Sequence, residues 1–566
     1  MRKYFALILL VASFGGFSLA DDHPSSSISI STNDHGDPIL KAMLAELKRS
    51  QEKLQFGQFQ RPYFIDYQVT EIQDYISDAI LGALRSDDTN VGRLVRVVVR
   101  IGDHKQDSYF GEGTGTVEVM PMDNNELALR HTLWLATDKA YKAALSGLTE
   151  KQAALKNVVV DQELPDFSDE KPVESVHSLV KLDTDLDRWK KMLRSTSDLF
   201  RKDPELESSG AVLHFRILNR YYVNTEGSVT RHGTGAYTYS FIGSSQAPDG
   251  MRLERSHAYV VAKPDELPKP EEMQKDTEEL IGTFDALRKA PLVEDDYHGP
   301  VLFSADAATA LVERFIVPNI LGVRPELGNP GRTRGEFSSY YKSRVLPEFL
   351  TVVDDPRAKK VNNMTLLGSY EVDDEGVEAH PVTVIEKGVL THFLVGREPI
   401  RDFAASNGHG RTALAGQPRP QISNLIVKAS NGISFEDLKK KLIQMCRDQG
   451  RPYGYYVETT VGPQVTPRLL WRIYVNDGHA ELVRGAIFNQ LDTRALRSDI
   501  VAAGNDEYVY NRSEPLPSAI VAPSLLFGEL EIQRANRTRE KLPQYPAPPL
   551  TNTQSAEIHH GETEKN

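Results

Sequence analysis

At 566 residues the chain has room for three or four domains at about 150 residues each, and with 40% hydrophobic and 26% charged residues it has an ordinary globular mix, which excludes a wholly disordered polypeptide. Asp and Glu outnumber Lys and Arg by 79 to 66, a net charge of −13 and the wrong sign for a protein that grips phosphate backbones, so nucleic acid is not expected as a partner. The single cysteine, Cys446, excludes an intramolecular disulfide, a Cys-built structural zinc finger and an iron–sulfur cluster.

Met1-Arg2-Lys3, the apolar run from Tyr4 to Phe17 and Ser18-Leu19-Ala20 before Asp21-Asp22 predict a secretory signal peptide over residues 1–20. The expected address is therefore export, to a periplasm or beyond; the missing disulfides favour the bacterial envelope. No later stretch reaches 18 consecutive apolar residues, so no membrane span is expected after signal cleavage. Residues 21–36 read as a flexible leader.

The expected fold is α+β: a mixed α/β domain over 37–265, a connecting helix over 266–296, a mainly antiparallel β domain over 297–540 and a disordered tail over 541–566. Asp37-Pro38 caps a helix carrying Ile39, Leu40, Met43, Leu44 and Leu47. Strands are expected at Tyr63 to Val69 and at Arg93 to Ile101. The second reads as half-exposed, with Val95, Val97, Val99 and Ile101 on one face and Arg96 and Arg100 on the other. Glu126 to Leu155 is rich in helix formers, with a stripe of Leu127, His131, Trp134, Leu135, Tyr141 and Leu145 read as its core face. A helix over Asp185 to Arg201 precedes strands at Ala211 to Ile217, Arg220 to Val223, Tyr237 to Ile242 and His257 to Val261, with a turn at Asn224-Thr225-Glu226-Gly227. Pro264, Pro268 and Pro270 close this block and launch a helix to Leu287.

In the second half, Glu386-Lys387-Gly388 and Asn476-Asp477-Gly478 predict hairpin turns, and helices are expected at Ala305 to Ile320 and Ser434 to Arg447. There is no P-loop, no GxSxG elbow and no pair of His one helical turn apart, and Gly111 to Gly115 does not open a helix after a strand. Four SxxK matches, at Ser50, Ser168, Ser178 and Ser339, are what chance gives. His298, His380, His392, His409 and His479 lie on separate strands and loops, and Asp373-Asp374-Glu375-Gly376 reads as a solvated turn, not a calcium loop.

Several segments in order resemble the TldD/PmbA family, whose members are zinc-dependent peptidases or modulators of DNA gyrase. They are Leu129-Arg130-His131 through Lys142, Gly299-Pro300-Val301-Leu302-Phe303, Asp374-Glu375-Gly376-Val377, Gly388-Val389-Leu390, Ser406-Asn407-Gly408-His409-Gly410-Arg411 with Pro418-Arg419 and Asn424, Glu481-Leu482-Val483-Arg484-Gly485, and Ala522-Pro523-Ser524-Leu525-Leu526. In catalytic members of that family the Val-Leu strand leads into a helix with HExxxH, and a cysteine near the C-terminus is the third zinc ligand. The resemblance puts Ser304 and Ala305 at the first His and Glu and Thr309 at the second His, and no cysteine follows Cys446. Catalytic zinc needs three protein ligands with one position open for water, so the resemblance implies a degenerate site, no cofactor, and a PmbA-like subunit that encloses a peptide.

Two further segments are candidates for binding a peptide or unfolded protein segment. Ser406, Asn407, His409 and Arg411 sit in a loop whose glycines allow close backbone approach, and Arg484 follows a hairpin. Three readings stay open at this point. The first is a homodimer, or a heterodimer with a TldD-like subunit, acting in proteolysis or peptide binding. The second is an active metallopeptidase with zinc held by His409 or another His and carboxylates such as Glu375 and Asp477. The third is a non-enzymatic envelope scaffold.

Overall fold

The computed structural model describes residues 33–109, 115–158, 164–293, 296–414, 416–462 and 464–535. The expected signal peptide, most of the leader, the tail and Gly111 to Thr114 lie outside the described residues.

The first part of the chain runs α1 (Pro38–Lys53), β1 (Pro62–Ile80), β2 (Ala83–Ile101), β3 (Thr116–Val119), α2 (Glu126–Leu155), β4 (Glu174–Val176), α3 (Leu186–Asp198), β5 (Leu206–Asn224), β6 (Val229–Gln246), β7 (Arg252–Val261) and α4 (Pro270–Lys289). Asp37 begins α1 by accepting the Ile39 and Leu40 amides at 2.8 and 3.1 Å, with Pro38 supplying a fixed φ in the first turn. The strands form one sheet in the order β3-β2-β1-β5-β6-β4, with β7 also pairing β6. β1, β2, β5 and β6 are each 18 or 19 residues long, so the short segments read from the sequence are parts of long hairpins.

Two expectations about this sheet are corrected. Arg96 and Arg100 are buried, so the second half of β2, from Arg93 to Ile101, is covered on both faces, while its first half is largely exposed. Their charges are tolerated because Asp66 lies 3.2 Å from Arg96 and Asp107 lies 2.7 Å from Arg100. On α2 the buried stripe is Leu129, Leu133, Ala136, Ala140, Tyr141 and Ala144. Leu127 is 79% exposed and Trp134 42% exposed. Both stripes recur at three and four residues, and packing on α1 and β2 selects the one whose alanines permit close approach.

The second part runs β8 (Tyr297–Phe303), α5 (Ala305–Leu311), a π turn over Val312–Ile316, α6 (Val317–Ile320), β9 (Leu350–Asp354), β10 (Lys360–Val361), β11 (Met364–Thr365), β12 (Val382–Glu386), β13 (Val389–Leu390), β14 (Gly410–Arg411), β15 (Arg419–Pro420) and β16 (Asn424–Ala429). It continues with α7 (Phe435–Asp448), β17 (Tyr453–Val461), β18 (Thr466–Tyr474), β19 (Ala480–Val483), β20 (Ala486–Asn489), α8 (Thr493–Ser498), β21 (Ile500–Ala503), β22 (Tyr508–Arg512), β23 (Ser518–Ala522) and β24 (Leu525–Arg534). Among the described residues two large sheets result, β13-β12-β9-β16-β23-β22 and β19-β18-β17-β8-β24-β20, with β21 on β24, beside the two-stranded pairs β10-β11 and β14-β15. Pairing is antiparallel except β16 with β23 and β8 with β17. The largest apolar core lies between these sheets and α5. The architecture is thus α+β, as expected. No helix among the described residues is long and apolar enough to cross a membrane.

Candidate functional site

The strand β8 delivers the chain to α5 at Ser304, the position at which the resemblance read from the sequence implies a first zinc-binding His. Ser304 is instead the helix cap. Its Oγ accepts the Ala307 amide at 3.0 Å and donates to the Glu458 carbonyl at 2.7 Å. Ala305 offers a methyl group, and the Thr309 hydroxyl donates to the Asp306 carbonyl at 2.7 Å. Cys446 is buried on α7 among Leu302, Leu438 and Leu442, and burial pushes its thiol up to about 11. These residues do not fit zinc, because none is free to ligate and the thiol is packed in an apolar cluster.

What surrounds α5 is polar and aromatic. The half-buried Asp306 carboxylate has no hydrogen-bond partner among the described residues, and burial raises it above the ordinary carboxylate range, with Glu458 adding to the rise and Arg255 opposing it. Glu458 on β17 accepts the Trp471 indole N–H at 2.6 Å, while Arg255 reaches from β7 to the Thr459 hydroxyl at 2.9 Å. Tyr508 and Tyr510 alternate with buried Val509 and Asn511 along β22 and are 40% and 38% exposed. Arg512 on the same face pairs with Glu313 at 3.2 Å. β22 is an edge strand, paired to β23 on one side and to no strand on the other among the described residues. Its Asn511 donates to the Val260 carbonyl of β7, so the patch touches both sheet systems.

Sequence reasoning missed Asp306, Glu458, Arg255, Tyr508 and Tyr510. The Tyr-x-Tyr alternation was the available signal; which face it occupied depended on pairing with β23.

The loop carrying Ser406, Asn407, His409 and Arg411 faces inward. His409 is fully buried, its Nε2 3.0 Å from Asp354 and its Nδ1 3.0 Å from the Asn407 carbonyl. Ser406 Oγ donates to the Val395 carbonyl, and Asn407 bridges Val395 and Phe393. Arg411 donates to Asp374 at 3.1 Å and stacks on Tyr370 at 3.9 Å. The glycines admit protein: a Cβ on Gly410 would collide with Glu375 Oε2. With both His409 nitrogens engaged, the zinc site imagined from His409, Glu375 and Asp477 does not form; Asp477 is exposed and bonded to His479 at 2.6 Å. Arg484 is likewise committed, holding Asp249 at 2.9 and 3.0 Å and the Ala290 carbonyl at 2.9 Å.

The reading of Asp373-Asp374-Glu375 as a solvated turn is corrected: all three are buried where the two parts of the chain meet. Asp373 accepts the Glu375, Val377 and Gly410 amides, each at 2.9 Å. Asp374 takes Arg220 of β5, and Glu375 takes the Arg397 amide at 2.7 Å. Arg397 in turn holds Glu226 at 2.7 Å.

Residues 296–534 match the family described as the PmbA/TldA metallopeptidase C-terminal domain. Over that stretch the chain carries the C-terminal domain of this family. It is 36% identical over 103 residues to a metalloprotease of Methanocaldococcus jannaschii, 18% of this chain and 22% of that protein. It is 29% identical over 124 residues to a metalloprotease of Archaeoglobus fulgidus, 22% of this chain and 25% of that one. The matched stretches thus span about a quarter of these relatives or less. Two solved structures share the fold over nearly their whole length: TldE of Thermococcus kodakarensis, with a TM-score of 0.60 at 14% identity, covering 87% of this chain and 99% of that one, and a protein of Thermotoga maritima described as a modulator of DNA gyrase, with a TM-score of 0.57 at 18% identity, covering 83% and 96%. At these identities the likeness concerns the TldD/PmbA fold alone.

Proposed function

We propose that the protein is an exported, PmbA-like subunit of the metallopeptidase superfamily that binds an extended peptide without a zinc of its own at α5. The observation that carries this reading is the pairing of two features at one place. The hydroxyls of Ser304 and Thr309 are spent on backbone hydrogen bonds where the resemblance would put zinc ligands, while β22 beside them pairs with no strand on its outer edge among the described residues, the kind of edge to which a peptide strand can be added. Tyr508 and Tyr510 offer apolar surface to alternate side chains of such a strand, and the Asp306 carboxylate suits a basic side chain or an amine. Proteolysis would then fall to a TldD-like partner carrying an intact metal site. The signal-like residues 1–20 are the support for export.

The test is hydrogen exchange on the mature chain with an unstructured, Lys-containing peptide. The amides of residues 508–512 are expected to gain protection, the same in the presence of chelator, with no cleavage products. Tyr510→Ser and Asp306→Asn are expected to weaken binding. Unchanged exchange across 508–512, or cleavage abolished by chelator, overturns the proposal.

A further inference from the structure

Away from α5, three loops meet at one end of the first sheet: the turn after β2, the segment before β4, and the hairpin turn between β5 and β6. They bring together His104, Asp169 and Glu226, with one ligand atom of each within 4.8 Å of the other two. We infer that these three residues form a binding site for a divalent transition-metal cation, Zn²⁺ in the first instance.

The imidazole is oriented for ligation. His104 Nδ1 faces the Phe167 carbonyl at 3.3 Å, a contact that favours the proton on Nδ1 and leaves the Nε2 lone pair toward Glu226 Oε1 at 3.5 Å. Two ligands bonded to zinc at about 2.0–2.1 Å with a tetrahedral angle lie about 3.4 Å apart, so the His104–Glu226 spacing needs little adjustment. The ring is also wedged, edge-on to Tyr63 at 4.9 Å and stacked on Phe167 at 6.1 Å. The His104 carbonyl accepts the Asp166 and Phe167 amides, which ties the first loop to the one that carries Asp169.

Arg397 grips Glu226 through both carboxylate oxygens, at 2.7 and 3.0 Å, and donates to the Ser168 carbonyl. It fixes the carboxylate but leaves each oxygen a second lone pair, and its charge moderates affinity. One imidazole and two carboxylates suit a borderline cation, with the remaining positions left to water. Because Arg397 comes from the second part of the chain, a cation here would clamp three loops of the first part at the seam between the two, a structural role.

The test uses the full mature chain stripped with chelator and titrated calorimetrically with zinc chloride. Wild type is expected to take up one Zn²⁺ with an affinity on the order of micromolar. Asp169→Asn and His104→Gln are each expected to weaken it by at least about tenfold, and Ser304→Ala to leave it unchanged. Asp169 is exposed and its conservative variant keeps the loop, so zinc should raise the melting temperature of wild type but not of Asp169→Asn. No uptake at sub-millimolar zinc, or equal uptake by both variants, would show an ordinary His–carboxylate ion pair and overturn the assignment. Peptide protection at β22 is read separately, so either result stands without the other.

Discussion

Arg220 Nη1 lies 3.0 Å from both carboxylate oxygens of Asp374, joining β5 to the loop before β12 through an ion pair sealed from water. Burial alone would raise the Asp374 carboxyl, but Arg220 and Arg411 beside it hold it well below the usual carboxylate range. Asp374→Asn leaves two buried guanidinium groups short of a counter-charge. It is expected to cost about 3–5 kcal/mol in urea unfolding. Since the folded carboxyl is depressed, the wild-type contribution is present above the unfolded value and lost as pH falls below it, so the variant should show a weaker acid transition.

Glu375 titrates in the opposite sense. Burial and the neighbouring Asp373 charge push it up to about 8, and burial raises Asp373 to about 6. Both folded values lie above those of the unfolded chain, so the stabilisation from protonation is complete in acid and is lost as pH rises through about 6 to 8. Melting temperature is expected to fall across that window. Glu375→Gln, which keeps the shape without the charge, should flatten the fall and be the more stable form at about pH 8.5, by on the order of 1 kcal/mol or more.

Ser304 serves α5 as a cap and tie to β17, not as a ligand. Ser304→Ala is expected to lower stability by about 1 kcal/mol, read by chemical denaturation. Its metal content should match wild type.

On α2 the two apolar stripes predict opposite outcomes. Leu133 is fully buried, and Leu133→Ala should cost about 2–5 kcal/mol. Leu127→Ser, on the exposed stripe, is expected to stay within about 0.5 kcal/mol of wild type. Equal effects in thermal melts would contradict the observed rotation of the helix.

The contrast between Leu127 and Leu133 marks how far local pattern reaches. The alternation of valines in β2, the Asp37-Pro38 cap, the Glu126–Leu155 helix and the two hairpin turns were all legible, because capping, periodicity and turn geometry act over a few residues. So was the family, through an ordered series of short segments. The helix following β8 was foreseen too, and on it the Ser304 and Thr309 hydroxyls go to backbone groups.

Burial of charge depended on partners far away in the chain. Arg96 and Arg100 look like a solvated face until Asp66 and Asp107 are brought beside them, and Asp373, Asp374 and Glu375 look like a surface turn until Arg220 and Arg397 arrive from more distant strands and loops. His409 shows the same limit: a polar, titratable residue between glycines satisfies the pattern of a binding loop, yet Asp354 occupies its outer nitrogen. The amino-acid order alone determined which segments become helix or strand, since that follows from neighbours and residue chemistry. Tertiary packing decided which faces turn inward, because the cost of desolvating a charge is set by whichever opposite charge the folded chain places next to it.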